Sequence, residues 1–184
     1  MIDKNTIRQQ IKQKKAIYEK SVLLKENQSV IDILESDKDF VEAKTILMYY
    51  SLPDEVQTIG LIEKYKNVKN ILLPSVNGDN LSLHMYTPYS ELKPGKYGIF
   101  ELNGQEFDDY ETINLAIIPG VAFDKSFNRL GRGKGFYDRL LPKLNCKTIG
   151  ICFDFQFLDY IPSEYHDCKV DKIIHGFTVV SNNN

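Results

Sequence analysis

Residues 45–50 read Thr45-Ile46-Leu47-Met48-Tyr49-Tyr50, a β-branched, apolar and aromatic run with no charge. Such a run predicts a buried strand. Leu115-Ala116-Ile117-Ile118 has the same character, as does Thr148-Ile149-Gly150-Ile151-Cys152-Phe153. None alternates apolar with polar residues, so each strand is expected to have both faces covered. That is the signature of parallel sheets. Helical signals fall between them. Pro53-Asp54-Glu55 is expected to open a helix with Val56, Ile59, Ile62 and Tyr65 on one side. Residues 71–73 (ILL) predict a second short strand ending at Pro74. Asn77-Gly78-Asp79-Asn80 predicts a turn, with residues 81–86 (LSLHMY) as the returning hairpin strand. Residues 87–112, rich in Pro, Gly and polar groups, predict a long connection, and residues 177–180 a last strand. The alternation of strand and helix predicts an α/β fold. Its centre is a mostly parallel sheet, with helices on both faces.

Near the N-terminus, Ile7, Ile11, Tyr18 and Val22 are spaced as one helical stripe. Residues 1–25 hold seven Lys/Arg against Asp3 and Glu19. Lys12, Lys14, Lys15 and Lys20 are expected to be a solvated face, whereas Lys4 and Arg8, one turn apart, point the same way.

The 184 residues suit one domain, 1–184, with a full core. A formal net charge of −2 gives no general attraction to nucleic acid or anionic lipid. No apolar run reaches the ~18 residues of a membrane helix. The absence of a secretory signal pattern predicts a cytoplasmic location. Cys146, Cys152 and Cys168 are odd in number and form no C-x-x-C, so reduced thiols are expected. His84, His166 and His175 form no metal-binding pattern.

Residues 119–138 carry the most chemistry. Gly131, Gly133 and Gly135 enclose Arg132 and Lys134, Arg129 precedes them, and a helix is expected to begin near Gly135. Glycines allow close backbone approach and positive φ, successive N–H groups attract anions, and Arg and Lys match phosphate oxygens. Asp138 follows on the same helix and suits a hard cation. The P-loop pattern fails at Asn128 and Gly135, and the dinucleotide pattern fails at Phe136.

The run PGVAFDKSFNRLGRGKGFYDRLL (119–141) resembles the signature of the 5-formyltetrahydrofolate cyclo-ligases, or 5,10-methenyltetrahydrofolate synthetases. The resemblance extends to Lys4-x-x-x-Arg8, to residues 49–58 (YYSLPDEVQT) and to Asp167-Cys168-Lys169-Val170-Asp171. It implies a three-layer fold similar to the ribose-phosphate isomerase and CoA-transferase sheets. It also implies ATP- and Mg²⁺-dependent closure of 5-formyltetrahydrofolate to 5,10-methenyltetrahydrofolate, with release of ADP and phosphate. By the same resemblance ATP meets Lys4 and Arg8, and residues Arg129, Leu130, Gly131, Arg132, Gly133, Lys134, Gly135, Phe136 and Tyr137. The folate meets Tyr50 and Glu55, together with Arg132, Gly133, Lys134, Gly135 and Phe136. Arg132 and Lys134 stabilise the transferring group. Asp138 and Asp167 hold the metal, with Asp171 the competitor for Asp167.

Two departures stand out. Gly98-Ile99-Phe100-Glu101-Leu102 has Leu where the family commonly has Pro, and Phe136 replaces a common Tyr, which removes a hydroxyl. The expected partners are small molecules, with no nucleic acid or membrane, in a monomer or weak homodimer. A sugar-phosphate or other phosphate-ester enzyme on the same fold, or a non-catalytic nucleotide- or folate-binding protein, is the alternative.

Overall fold

The computed structural model describes residues 2–95, 100–102 and 104–182. Gly98 and Ile99 of the segment with the Leu102 departure lie outside the described residues, as do Asn183 and Asn184. The helices are α1 (Lys4–Ile17), α2 (Lys20–Ser36), α3 (Lys38–Glu42), α4 (Ile59–Tyr65) and α5 (Phe136–Leu140). The strands are β1 (Thr45–Leu47), β2 (Asn70–Asn77), β3 (Asn80–Tyr86), β4 (Leu92–Pro94), β5 (Phe100–Leu102) and β6 (Leu115–Ile118). They continue with β7 (Ala122–Asp124), β8 (Arg129–Leu130), β9 (Lys147–Cys152), β10 (Phe157–Leu158), β11 (Lys172–His175) and β12 (Thr178–Ser181).

The main sheet has the order β12-β11-β9-β6-β1-β2-β3. From β11 to β2 every neighbouring pair is parallel, and β3 and β12 close the two ends antiparallel. The unbroken apolar runs have the expected cause. Side chains alternate between faces along a strand, and here both faces are buried. Ile46, Leu115, Ile117, Ile149 and Ile151 enter one core with Ile7 and Ile11 of α1, Val30 and Leu34 of α2, and Leu61 and Ile62 of α4. Leu47, Leu72, Ala116, Ile118 and Ile173 enter the other with Phe123, Val170 and Leu140 of α5. The sheet is mixed but mostly parallel, with helices on both faces.

Several local expectations are corrected. The first helix is two: Tyr18 (ψ 133) and Glu19 (ψ 128) are extended, dividing α1 from α2. Tyr18 and Val22 therefore do not continue one helical stripe from Ile7 and Ile11. Pro53 and Asp54 form a turn, and the helix starts at Ile59. Within that turn Glu55 accepts a hydrogen bond from the Leu52 N–H (3.0 Å), and Gln57 ties itself to the carbonyls of Leu52 and Glu55. β2 runs through Pro74, which pairs with Leu83 of β3. The pairing with β1 ends near Leu72, so Pro74 interrupts no ladder on that side. The hairpin turn is as expected, with Gly78 at φ 61 between Asn77 and Asn80. The 87–112 connection contains β4, β5 and a 3₁₀ turn, Tyr110–Thr112.

One further hairpin matters to the site. β7 and β8 pair antiparallel, joined by residues 125–128. Asp124 is fully buried, and its carboxylate accepts four N–H donors: Ser126 N, Asn128 N, the Asn128 amide and Ile161 N, at 2.7–3.0 Å. The turn places Phe127 at φ 64, a left-handed conformation unusual for a bulky residue. The carbonyl of Phe127 accepts from Val170 N at 3.1 Å, so the same turn anchors the 167–171 segment.

Candidate active site

From β1 the chain passes to β2 on one side of the sheet, and from β6 to β9 on the other. Ligands of open α/β sheets bind at such a divergence, beyond the carboxyl ends of the strands. A cavity of about 250 Å³ lies there. Tyr49, Tyr50, Leu52 and Glu55 line it after β1, and Pro119, Gly120 and Val121 after β6. The β2–β3 hairpin adds Pro74, Val76 and Leu81, and the glycine segment supplies the rest. The walls are largely apolar and aromatic, with a few charged groups, as in small-molecule sites.

Most of the expected residues meet here. Tyr50, Glu55, Arg129, Gly131, Arg132, Lys134, Gly135, Phe136, Tyr137 and Asp138 all line this cavity. Leu130 is buried in β8 behind it. Gly133 (φ 95) and Gly135 (φ 66) occupy the left-handed region that the loop requires. A side chain at Gly133 would meet the guanidinium of Arg8 at 3.5 Å, and Arg8 Nε donates to the Gly131 carbonyl at 2.8 Å. So α1 lies directly on the loop. α5 has only five residues. The side chains, rather than a helix dipole, therefore carry most of the positive charge.

Arg129 is buried and its Nη2 donates to Asp138 Oδ1 at 2.7 Å, while its Nε has no partner among the described residues. Its guanidinium also lies over the Tyr137 ring, 5.4 Å from the centroid. Burial, with the charge of Glu55, pushes the Tyr137 hydroxyl well above its ordinary pKa, so it stays protonated at neutral pH. Arg132 Nη2 donates to Asp54 Oδ1 (2.8 Å) and to Glu55 Oε1 (2.9 Å). Lys134 stands at the exposed rim of the cavity, its carbonyl accepting from Arg139.

A second cavity of about 350 Å³ shares Glu55, Gly120, Val121 and Arg132 with the first. Arg8, Lys12, Lys15, Asp54 and Gln156 complete its polar wall. Lys12 and Lys15 are thus part of a groove rather than a plain solvated face. Lys15 pairs with the Asp54 carboxylate at 3.2 Å and donates to its carbonyl. No local pattern marks these lysines in the sequence, because the groove forms only when α1 packs beside residues 52–55.

Lys4 donates to both carboxylate oxygens of Asp167 (2.9 and 2.6 Å) and to Glu164 (3.1 Å). Asp171 is committed elsewhere, accepting from the N–H and hydroxyl of Thr148 at 2.8 Å. Burial pulls the Asp167 carboxyl upward, but Lys4 and the Glu164 N–H outweigh it and hold its pKa below the usual value. A depressed folded pKa means the clasp contributes stability above the unfolded value of about 3.9, lost as pH falls through the folded one. An NMR titration of Asp167 is expected to give a midpoint below that value, and Lys4→Ala to move it upward. A midpoint untouched by Lys4→Ala would show that the pair is not formed in solution.

Among the described residues no group of three or more His, Cys, Asp or Glu is placed to hold a metal. Mg²⁺ in general takes one or two carboxylates alongside phosphate oxygens and water. Burial, first of all, raises the pKa of all three cysteine thiols, Cys146 to about 11, so none is set up as a nucleophile. Both nitrogens of His84 are engaged, with Ser82 Oγ and the Gln105 carbonyl. No helix among the described residues is long and apolar enough to cross a membrane.

A largely apolar, aromatic cavity with the carboxylates of Glu55 and Asp138, beside a groove carrying Arg8, Lys12, Lys15 and Arg132, has the make-up of a small-molecule enzyme site. The model of the 5-formyltetrahydrofolate cyclo-ligase family matches residues 1–176, and the chain belongs to that family. A probable 5-formyltetrahydrofolate cyclo-ligase of Schizosaccharomyces pombe is 33% identical over 165 residues, covering 78% of this chain and 80% of the relative. The 5-formyltetrahydrofolate cyclo-ligase of Haemophilus influenzae is 33% identical over 144 residues, covering 73% and 77%. The NMR structure of Aquifex aeolicus 5,10-methenyltetrahydrofolate synthetase superposes with a TM-score of 0.87 at 29% identity, covering 98% of this chain and 93% of that one.

Proposed function

We propose that the chain closes 5-formyltetrahydrofolate to 5,10-methenyltetrahydrofolate at the expense of ATP, with the reacting groups meeting at Arg132 and Lys134. The observation that carries this reading is the wall shared by the two cavities, where Arg132 and Glu55 face both. The aromatic cavity takes the pterin. Glu55, with a side chain only 14% exposed, accepts hydrogen bonds from its guanidine-like edge, a pairing suited to a carboxylate. Tyr50 and Phe136 flank the ring, and Phe136, lacking a hydroxyl, contributes only surface. The triphosphate lies along Arg8, Arg132, Gly133 and Lys134, and Arg129 underpins the loop.

The N5-formyl group is an amide, with a poor electrophilic carbon and a poor leaving oxygen. Its oxygen attacks the γ-phosphorus, the bond to ADP breaks, and an iminium phosphate forms. N10 of the same folate then attacks the activated carbon, loses its proton, and phosphate departs. This sequence needs positioning and charge neutralisation rather than a protein nucleophile. Arg132 and Lys134 neutralise the charge on the transferring group. Tyr137, its hydroxyl held protonated, lines the same cavity. Asp138, beside the glycine loop, and Asp167, in the Lys4 clasp, are the carboxylates that would hold Mg²⁺. The ion would supply further neutralisation of the phosphates.

Mixing the protein with 5-formyltetrahydrofolate, Mg²⁺ and ATP tests the reading. The methenyl product is a conjugated amidinium with its own near-ultraviolet band. An ATP-dependent rise in that band is expected, and tight binding without turnover would overturn the reading. Glu55→Gln is expected to raise KM for the folate by about 10–100-fold, the scale of a lost charge-assisted hydrogen bond. KM for ATP should stay within about fivefold of wild type. A large loss of ATP affinity instead would move Glu55 out of the folate site.

A further inference from the structure

Arg132 is assigned to the transferring phosphoryl group and Glu55 to the pterin edge, yet they hold each other. Glu55 Oε1 accepts from Arg132, and its other oxygen accepts from Leu52 N–H. A pterin edge that binds this carboxylate therefore competes with Arg132 for the cavity-side oxygen, Oε1. A phosphate that needs the guanidinium draws it from the same partner. The structure adds a third member. Asp54 Oδ1 accepts from the same Arg132 nitrogen at 2.8 Å, and its carboxylate is steadied from the other side by Lys15 at 3.2 Å. Asp54 lies in the turn one residue before Glu55 and lines the cationic groove, although its own charge would repel a polyanion there.

We infer that Asp54 is a positioning residue that docks Arg132 between the two cavities, and so sets how strongly folate and ATP assist each other's binding. With neither substrate present, Arg132 rests on Asp54 and Glu55. The docked state needs both carboxylates on the one nitrogen, because a single half-exposed contact is too weak to hold the guanidinium; folate, by taking Glu55, therefore undoes the docking and leaves Arg132 easier for phosphate to capture. ATP, by capturing Arg132, uncovers Glu55 for the folate. The two effects are equal by linkage, since both act on the same docked equilibrium. Arg132 and Asp54 are 49% and 47% exposed, which limits the docking to the modest strength of a solvated pair. The coupling is therefore a bias of a few fold rather than a block. In Asp54 itself burial favours the neutral acid, but Arg132 and Lys15 outweigh it and keep the group ionised.

The inference rests on the cyclo-ligase reading, and the test separates the two. A non-hydrolysable ATP analogue with Mg²⁺ is titrated calorimetrically into the full chain, with and without 5-formyltetrahydrofolate, and turnover is measured in parallel. In the wild type, folate is expected to tighten analogue binding. Asp54→Asn should tighten binding to the folate-free protein by about two- to fivefold and shrink the gain on adding folate by the same factor. A merely structural role would lower the melting temperature without altering that gain. Asp54→Ser should show the same two shifts and serves where the Asn variant does not fold. Normal turnover with no folate-dependent gain, or a gain untouched by either substitution, overturns the inference alone. Absence of turnover and folate binding in the wild type overturns it together with the cyclo-ligase reading.

Discussion

Lys134→Ala is expected to lower kcat by about 10²–10³, the scale of losing one preorganised donor aimed at developing charge. Lys134 stands between Gly133 and Gly135, both at positive φ, at the rim of the cavity that also holds Arg132. The backbone holds the ammonium's base in place, since the Lys134 carbonyl is bound by Arg139, which in turn grips the Asp79 carbonyl of the β2–β3 turn. The glycine loop is thereby tied to the hairpin forming the opposite wall. If the ammonium acts mainly on the transferring phosphoryl group, kcat falls while KM for the folate changes little. A folded variant with wild-type kcat would remove Lys134 from the chemistry and leave Arg132 as the main cation there.

The largest loss of stability is expected from Asp124→Ala, about 4 kcal/mol. Its carboxylate satisfies four buried or half-buried N–H groups, and each donor left unpaired in a core costs about 1–3 kcal/mol, with partial relief from water and relaxation. The left-handed Phe127 adds backbone strain that these bonds now offset. For a chain of this size such a loss corresponds to a fall in Tm of roughly 8–16 °C. Asp124→Asn, which keeps one acceptor oxygen, should fall between. A melting temperature within about 2 °C of wild type for the Ala variant would show that the turn holds itself. Activity should drop with stability here, because this turn feeds Arg129 into β8 and fastens the segment carrying Asp167.

The central strands were legible because burial on both faces leaves no polar alternation, and 45–50, 115–118 and 148–153 show none. The glycine segment was legible because its composition is chemically unusual. Other features were hidden for particular reasons. The break at Tyr18 leaves apolar residues at spacings that still mimic one helix. Pro74 looks like a strand terminator, yet β2 continues through it because it has already left β1. β7, β8 and β10 are two or three residues long, too short to show a period. The docking of Arg132 on Asp54 and Glu55 joins positions more than seventy residues apart, which no local pattern can reveal.

The division at Tyr18 and Glu19 also sets the order in which heat acts. α1 buries two side chains, Ile7 and Ile11, and is otherwise fastened by polar contacts of Lys4, Arg8 and Lys15. It is the element best placed to detach while the sheet persists. Its amides should exchange with solvent sooner than those of β1, β6 and β9. Because α1 delivers two of the cations proposed to meet ATP, thermal inactivation should run ahead of global melting and reverse on cooling.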